Sequence, residues 1–469
     1  MGRQGLAALL MLSGVALGCY DPTVRPLLGC GPHGECPGSQ RCVAGVCGGQ
    51  PADADLGPYD LTVSLLGPGV GSVRSLAEGI DCGTDCSHTY DSGTVVTLRV
   101  KLVNGSNLRF AGWRGACAGI DTECQVVMDG DRAVIAEFAT ITHNLVFVTR
   151  NEYNLRALSR VAFDNHCNAA ATTAGLNNAT NNGFRAWISD ELEDASDGLG
   201  VSRGWVRMDG LPFTDTLTNL VVDNQILNPI SLDEGGREVL ALVATGSLAS
   251  GDADAHCGGW KSTGMVTLGQ SGGGPTTWSD FARPDCSTVV RTPIYCFQNT
   301  LNAALEPTPP APAGKRIFVS RGSFTPGPGG LAAADTLCGR ESVSGSTTPF
   351  KALLARGGQP AGALLDPAAS YYTMSWQLVG TGRELLDGAH LHTGIWQHGD
   401  GSFLDAALVA SRQVRTGSTR PSLVSQDCGN WESTTGQSQV GLATEVVSWW
   451  ATVFGYACGS PTRLYCVEQ

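Results

Sequence analysis

Three segments of the chain alternate apolar and polar residues and are rich in β-branched side chains. They read "YDLTVSLL" from residue 59, "GTVVTLRV" from residue 93 and "RAVIAEFAT" from residue 132. A period of two places the apolar residues on one face of an extended chain, so each segment predicts a half-buried strand. The sequence therefore predicts a small all-β domain over residues 59–139.

A different pattern occurs twice in the rest of the chain. "FVTR" at 147–150 returns as "FVSR" at 318–321, "AFDNHC" as "AADTLC" and "CGGW" as "CGNW", each at an offset of 171 residues. Each copy opens with an apolar strand, continues with a short helical stretch that carries its first cysteine, and closes on a Tyr-Cys strand. A near-constant offset predicts an internal duplication. Copy one spans 144–298, copy two spans 316–469, and a Pro-rich linker at 299–315 joins them.

The first residues predict export. An apolar run at 6–15 follows one early arginine, and small residues precede Cys19. This pattern is typical of a cleaved signal peptide at 1–18, which is too short to span a bilayer. The tetrapeptide "ALGC" resembles a bacterial lipobox, and the resemblance implies that Cys19 is lipidated and begins the mature protein, with 19–29 as a tether. Ordinary signal cleavage is the alternative.

The cysteine count agrees with export. The chain has 17 cysteines, of which sixteen fall into four local groups of four, so that Cys19 is left over. In an oxidising compartment the sixteen are expected to form eight disulfides. The first group, at 30–47, has little apolar content and needs disulfides to hold it. It resembles the small cysteine-rich modules that follow lipoboxes, and a linker at 48–58 comes after it. Of the three connectivities we favour Cys30–Cys42 with Cys36–Cys47; a zinc knuckle is the rival interpretation.

Composition and charge narrow the classes of partner. The hydrophobic fraction is 42% over 469 residues, and 62 glycines and 23 prolines favour strands, turns and loops over long helices. The net charge of -13 disfavours nucleic acid, heparin-like glycans and anionic lipid headgroups. We therefore expect no nucleic-acid partner, and membrane contact through the lipid anchor only.

The phrases between the predicted strands resemble a known family. "GIDCGTDC", "FAGWRGAC" and "CQVVMDGDRAV" stand in the order seen in the divergent InlB B-repeat family, a small all-β spacer of bacterial surface proteins. The resemblance implies disulfides Cys82–Cys86 and Cys117–Cys124. It also implies that this unit holds the following units away from the membrane.

The duplicated unit resembles the C-type-lectin-like fold in its bacterial, endostatin-related branch. Copy one carries "A-x-D-x-x-C", "AWIS", "C-x2-W", "WSD" and a closing "IYCF", whereas copy two has "ALLA" and "WAT" at two of these places. The resemblance implies an α+β domain in which the first cysteine pairs with the last, and in which the long loop projects away from the termini. The implied disulfides are Cys167–Cys296, Cys257–Cys286, Cys338–Cys466 and Cys428–Cys458.

The fold class expected from these resemblances is a multidomain, disulfide-rich protein. It has an all-β InlB-B-repeat-like spacer followed by two α+β C-type-lectin-like domains. C-type lectins bind sugars through Ca²⁺, which takes six to eight oxygen ligands. Copy one retains Asp280 in "WSD", and Asp252 and Asp254 in "GDADAHC" are substitutes for the missing acids. Calcium is therefore a candidate cofactor of copy one, and a solvated turn is the alternative. The matching "WAT" of copy two, which begins at Trp450, supplies no carboxylate.

Copy two has a candidate metal site of its own in "GAHLHTGIWQHGDGSFLD". His390 and His392 share one face of an extended chain, and His398 and Asp400 return from a turn. Imidazole with carboxylate suits zinc. Copy one carries no equivalent of these residues, which favours ordinary exposed histidines.

Four tryptophans have two interpretations. An indole stacks on a sugar face or anchors a partner, but at fixed positions of a duplicated domain it is more often core, and we favour core. The candidates are Trp260, Trp278, Trp431 and Trp450.

The sequence predicts no enzyme, because it has no G-x-S-x-G or H-E-x-x-H motif and paired cysteines leave no nucleophilic thiol. The predicted function is that of an exported, lipid-anchored binding or adhesion protein at the surface of a Gram-negative bacterium, in the outer membrane. It recognises a glycan or a surface protein through the loops of the C-type-lectin-like domains. The first alternative is a structural envelope lipoprotein without a specific ligand, and the second is an enzyme.

Overall fold

A computed structural model describes most of the chain from residue 57 to residue 469. The gaps are at 70, 104, 156–158, 177–182, 262, 290, 312, 343–347, 406–411, 424–426 and 452. Before residue 57 only two paired strands are described, β1 (Cys42–Val43) and β2 (Val46–Cys47). The chain divides into two compact units, 1–58 and 59–469. The predicted signal peptide, the lipidation of Cys19 and the pairs Cys30–Cys42 and Cys36–Cys47 lie outside the described residues and stay predictions.

The second unit begins with the all-β region, which we call the β-repeat. Its strands are β3 (Tyr59–Leu66), β4 (Ser72–Ser75), β5 (Asp81–Cys82), β6 (Ser87–Tyr90), β7 (Val95–Lys101), β8 (Leu108–Gly115), β9 (Glu123–Val127) and β10 (Arg132–Thr140). They form two four-stranded sheets in the orders β6-β3-β10-β8 and β5-β4-β7-β9. Alternate residues such as Leu61, Val63 and Leu98 are buried between the sheets, as the period of two predicts.

Copy one is built around a five-stranded sheet in the order β13-β19-β11-β14-β15. Its elements are β11 (Asn144–Val148), β12 (Tyr153–Asn154), α1 (Arg160–Thr173), β13 (Phe184–Ala186), a 3₁₀ helix (Ala195–Leu199), β14 (Arg203–Val206), β15 (Pro212–Thr216), α2 (Leu217–Val221), β16 (Leu242–Ala244), the single turn α3 (Cys257–Trp260), β17 (Leu268–Gln270), β18 (Arg291–Thr292) and β19 (Tyr295–Gln298). Every residue of β11 and β19 is buried, as expected for strands that are covered on both faces.

Copy two repeats this arrangement with the sheet order β21-β27-β20-β22-β23. Its elements are β20 (Lys315–Val319), α4 (Gly330–Glu341), β21 (Phe350–Ala352), a 3₁₀ helix (Ala361–Leu364), β22 (Ser370–Tyr372), β23 (Leu378–Thr381), α5 (Gly382–Asp387), β24 (Gln413–Arg415), β25 (Gln437–Leu442), β26 (Val453–Ala457) and β27 (Tyr465–Glu468). The matching strand orders show the duplication in three dimensions. No described helix is both long and apolar enough to cross a bilayer.

The motif "A-x-D-x-x-C" ties the first helix of each copy to the central sheet. The carboxylate of Asp164 accepts a hydrogen bond from the Ala186 N–H at 2.8 Å, and Asp335 accepts one from Ala352 at 3.0 Å. The cysteine one turn later forms the long-range disulfide of its copy, with a sequence separation of 129 in copy one and 128 in copy two. A loop of this length is worth about 4–5 kcal/mol in the chain-entropy description.

Six disulfides lie in the described part of the chain, and they coincide with the pairs that the two resemblances imply. They are Cys82–Cys86, Cys117–Cys124, Cys167–Cys296, Cys257–Cys286, Cys338–Cys466 and Cys428–Cys458. The protein is thus multidomain, rich in β structure and rich in disulfides.

The loop regions of the two copies pack against each other instead of projecting freely. The Gly274 N–H donates to the Thr444 carbonyl at 2.7 Å, and the Trp396 indole N–H donates to the Ile226 carbonyl at 2.6 Å. One hydrophobic cluster runs through both copies and includes Ile226 and Trp396. These loops carry apolar side chains that bury one another in this contact. The expectation that each long loop projects away from the termini of its own copy stays a prediction.

The β-repeat is joined to copy one in the same way. Arg237 of copy one forms ion pairs with Asp121 and Glu123 of the β-repeat, and the Thr122 N–H donates to the Gly235 carbonyl at 3.2 Å. A single hydrophobic cluster spans the two. The β-repeat, copy one and copy two consequently form one continuous body.

Candidate functional site

The structure does not assemble the predicted calcium site. Asp254 and Asp280 both pair with the guanidinium of Arg283, at 2.5 Å and 2.9 Å, and Asp252 accepts a hydrogen bond from the Ser250 hydroxyl. Burial also raises the pKa of Asp280, which disfavours its charged form. Among the described residues no three His, Cys, Asp or Glu side chains are placed to hold a metal ion. The guanidinium of Arg283, three residues after Asp280, occupies the carboxylates of Asp254 and Asp280, so calcium in copy one stays a prediction without support from this arrangement.

In the histidine segment of copy two, the side chains likewise contact different partners and do not converge on one point. His392 lies 3.5 Å from the Glu384 carboxylate, while His398 is buried with its Nδ1 2.9 Å from the Val319 carbonyl. Burial lowers the pKa of His398. Hydrogen bonds from Ser402 and then Arg321 lower the pKa of Asp400 to about 2. The residues therefore serve local contacts and do not form a zinc site.

The four candidate tryptophans are core residues. Trp260, Trp278, Trp431 and Trp450 are at most 2% exposed. The indole N–H of Trp260 donates to the Ser189 carbonyl and that of Trp431 to the Ala355 carbonyl, both at 2.9 Å. The tentative ligand-binding role was therefore wrong for all four, and the core interpretation describes them.

The "C-x2-W" segment owes its fixed composition to an unusual backbone. All four residues from Cys257 to Trp260 have φ between 52° and 64°, and all four from Cys428 to Trp431 have φ between 49° and 68°. A left-handed turn is costly for residues with a Cβ and is tolerated best by glycine and asparagine, which fill the middle positions here. The disulfide at one end and the buried indole at the other hold the turn.

The structure also corrects the register of the last tryptophan motif. The Tyr295 hydroxyl donates to the Trp278 carbonyl at 2.9 Å, and the Tyr465 hydroxyl donates to the Trp449 carbonyl at 2.8 Å. Trp449 is therefore the counterpart of Trp278, and Trp450, which the sequence alignment matched to it, takes the place of Ser279.

Two open clefts lie beside copy two. The first, which we call the arginine cleft, has a volume of about 590 Å³ and is lined by Arg316, Arg321, Arg340, His398 and Asp400, among others. Arg321 pairs with Asp400 at 2.8 Å and Arg316 pairs with Glu468 at 3.1 Å. The cleft thus combines several positive charges, most of them already partnered.

The second cleft, which we call the inter-copy groove, has a volume of about 470 Å³. Copy one contributes Asp215, Asn219, Gln225 and Leu227, the linker contributes residues 305–308, and copy two contributes Met374, Ser375, Trp376 and Gln377. The Gln377 side chain receives a hydrogen bond from Asn228 at 2.9 Å and donates one to Thr308 at 2.6 Å. All three segments therefore meet at this residue.

Copy one shows why the face of copy two is open. β14 pairs with β11 in the same register as β22 pairs with β20. Met208 and Met374 therefore occupy equivalent positions in the two copies. Met208 is buried in the cluster shared with the β-repeat, beside Phe110. Met374 has no such cover and lines both clefts. The surface that carries the β-repeat in copy one is therefore exposed in copy two.

Trp376 stands at a hairpin tip where copy one has a glycine. The Thr373 N–H donates to Gln377 and the Trp376 N–H to Thr373; in copy one, Arg207 and Gly210 make the equivalent bonds. The φ angles are 61° at Trp376 and 87° at Gly210. This is the position of a three-residue hairpin that normally calls for glycine. Outside the left-handed turns, every other described residue with positive φ is glycine or asparagine.

The side chain of Trp376 is part of an aromatic and cationic cluster. Its ring centroid lies 5.9 Å from that of Tyr372, and the Arg316 guanidinium carbon lies 5.7 Å from the ring. These distances suit aromatic and cation–π contacts. Sequence analysis missed Trp376, although the aligned copies contain the signal, a glycine replaced by tryptophan at a turn.

Comparison with known proteins identifies one part of the chain. Residues 77–142 match the family model of the divergent InlB B-repeat domain, which confirms the resemblance drawn from the sequence for the β-repeat. No curated protein matches the chain.

Proposed function

We propose that the protein is an exported, lipid-anchored recognition protein of the cell envelope, in which the β-repeat carries two C-type-lectin-like copies that bind a glycan or a surface protein. The observation that carries this proposal is the open face of copy two. The same face of copy one is covered by the β-repeat, whereas that of copy two opens into two clefts.

The architecture supports presentation of a single binding surface. Contacts between the copies are those of a protein interior, including the Trp396 indole buried against copy one. The copies are therefore not two independent modules that gain avidity through a flexible linker. The β-repeat covers this face of copy one, and the clefts open on the face of copy two, with copy one and the linker lining one side of the inter-copy groove.

The C-type-lectin-like assignment of the copies is supported by the pairing of the first with the last cysteine and by the closing strand beside the opening one. β11 pairs antiparallel with β19, and β20 pairs antiparallel with β27. This is the arrangement that the resemblance implies, and it places the loop region at one end of each sheet.

The test is a binding screen of the full chain on a glycan array and on immobilised envelope proteins, with calcium and with EDTA. We expect binding that EDTA does not abolish, because Arg283 neutralises the aspartates of the calcium motif. Loss of binding in EDTA would contradict this assignment of the site. Absence of binding on both surfaces would overturn recognition and favour a structural envelope protein.

Anchoring is tested separately by Cys19→Ser. We expect the wild-type chain in the membrane fraction and the variant in the soluble exported fraction. A variant that remains in the membrane fraction would contradict a lipid anchor at this residue.

A further inference from the structure

We propose that the inter-copy groove binds an uncharged pyranose ring of a glycan, with Trp376 as the platform on which the ring stacks. This inference rests on the proposed function and specifies its ligand class and its site. It is carried by the hairpin at Trp376, the polar wall opposite it and the charge of the groove.

The first step is the backbone at Trp376. A side chain in the left-handed region is unfavourable, and copy one shows that glycine completes the same hairpin. The indole at this tip is only half-buried, unlike the core tryptophans of the copies. Its presence is therefore not explained by the turn or by core packing, and a role for its exposed face accounts for the strained position.

The second step is the fit of the indole to a sugar. The axial C–H bonds of a pyranose form an apolar face that packs on an aromatic ring, and the ring quadrupole favours partly positive hydrogens. Tyr372 and Arg316 support the indole from the side of copy two, which fixes its orientation before the ligand arrives. A preorganised ring avoids the ordering cost of binding.

The third step is the wall across the groove. Asn219 and Gln225 of copy one supply amide groups suited to ring hydroxyls. Within the described part of the chain, Oε1 of Gln225 is buried without a hydrogen-bond partner. A buried acceptor without a donor is unfavourable. This oxygen is closed to solvent, so a sugar hydroxyl reaches it only when the Gln225 side chain turns toward the groove, and that turn would relieve the unpaired acceptor.

The fourth step is charge. Asp215 and Glu306 line the groove; Asp215 is already paired with Arg203, whereas no ion pair of Glu306 is found among the described residues, and the chain as a whole is acidic. This combination repels carboxylated or sulfated sugars. Neutral hexoses and N-acetylated hexosamines are therefore the ligand class.

The same comparison argues against a protein docking there in the way the β-repeat docks on copy one. A Cβ at Gly210 would lie 2.5 Å from a guanidinium nitrogen of Arg109, so a side chain at this tip would have to displace that guanidinium. Trp376 occupies the equivalent place in copy two, where its indole stands in the way of the same close contact.

The experiment compares the full wild-type chain with Trp376→Gly, Trp376→Tyr and the distant exposed variant Leu192→Ala on an array of neutral and acidic glycans, followed by titration calorimetry with the best neutral oligosaccharide. We expect Trp376→Gly to weaken binding about tenfold or more, Trp376→Tyr to retain part of it, and Leu192→Ala to match the wild type. Thermal unfolding of each variant shows that the fold is retained.

The outcomes separate this inference from the proposed function. Neutral-glycan binding that Trp376→Gly leaves unchanged would overturn the groove as the site and leave glycan recognition standing. Preference for acidic glycans would overturn the ligand class. Binding to envelope proteins alone, with no glycan bound, would overturn the sugar inference while recognition as such remains.

Discussion

Copy one and copy two share a strand order and a disulfide pattern, but in one region of the core the space is filled by side chains from different positions of the chain. In copy one Trp187 packs against Trp278 with ring centroids 4.7 Å apart and the rings tilted by 45°, and its N–H donates to Ser279. In copy two, Leu353 occupies the position equivalent to Trp187, and Trp450 occupies the position equivalent to Ser279.

The exchange preserves an indole pair in each copy. Trp449 and Trp450 lie 5.3 Å apart, and the Trp450 N–H donates to Ser418, the counterpart of Ser247 beside Ser279. The two differences between the copies, Leu353 at the place of Trp187 and Trp450 at the place of Ser279, are thus one compensated change. Close packing requires that the volume of the core be filled, but it does not require that the same positions fill it.

The largest expected effect tests whether the copies unfold together. Replacing both members of Cys167–Cys296 by serine, or both members of Cys338–Cys466, should lower the free energy of unfolding by about 4–5 kcal/mol. Because one hydrophobic cluster joins the copies, each variant should show a single calorimetric transition at reduced temperature. Two separated transitions would mean that the copies are independent domains.

The core exchange gives the next effect. Trp450→Ser should lower the free energy of unfolding by about 3–5 kcal/mol, since it removes a buried indole and leaves a cavity. Adding Leu353→Trp rebuilds the arrangement of copy one and should recover about 1–3 kcal/mol of that loss. The measurement is chemical denaturation of both single variants and of the double variant. Strictly additive losses would contradict compensation.

The hairpin tips should respond asymmetrically. Gly210→Trp should cost about 1–3 kcal/mol, because its side chain displaces Arg109 of the β-repeat. Trp376→Gly should stay within about 1 kcal/mol of the wild type, since relief of the left-handed backbone offsets the lost contacts with Tyr372 and Arg316. Equal losses in thermal unfolding would remove the case for a functional role of Trp376.

The smallest effect concerns pH at the contact between the copies. Burial raises the pKa of Glu445 in copy two, while its counterpart in copy one, Gly273, does not titrate. The folded chain holds a proton that the unfolded chain releases, so this contribution is full below the usual carboxyl pKa and is lost as pH rises through the folded value. Glu445→Gln should therefore raise stability at pH 7 relative to the wild type and change it less at pH 4. An equal effect at both pH values would contradict burial of the charge.

The sequence revealed what depends on local spacing and missed what depends on long-range contact. The β-repeat and the duplication are visible because alternation and cysteine spacing lie along the chain. The mutual burial of the loops is not visible in the sequence, because Ile226, Ile395 and Val446 follow no common periodic pattern. The ion pair of Arg283 with Asp254, 29 residues away, was missed for the same reason. The alignment of Trp278 with Trp450 failed by one residue because two adjacent tryptophans offer equivalent matches.

The parallel pairing of the first and last strands of the β-repeat has a mechanical consequence. Six residue pairs join β3 to β10, from Leu61 with Arg132 to Leu66 with Glu137. A pull between the N-terminal end of β3 and the C-terminal end of β10, where copy one begins, slides these strands past each other. The hydrogen bonds between them are then loaded together rather than one after another. A chain held by its N-terminus and stretched through copy two would therefore load these six residue pairs at the same time, and the β-repeat would resist rupture cooperatively.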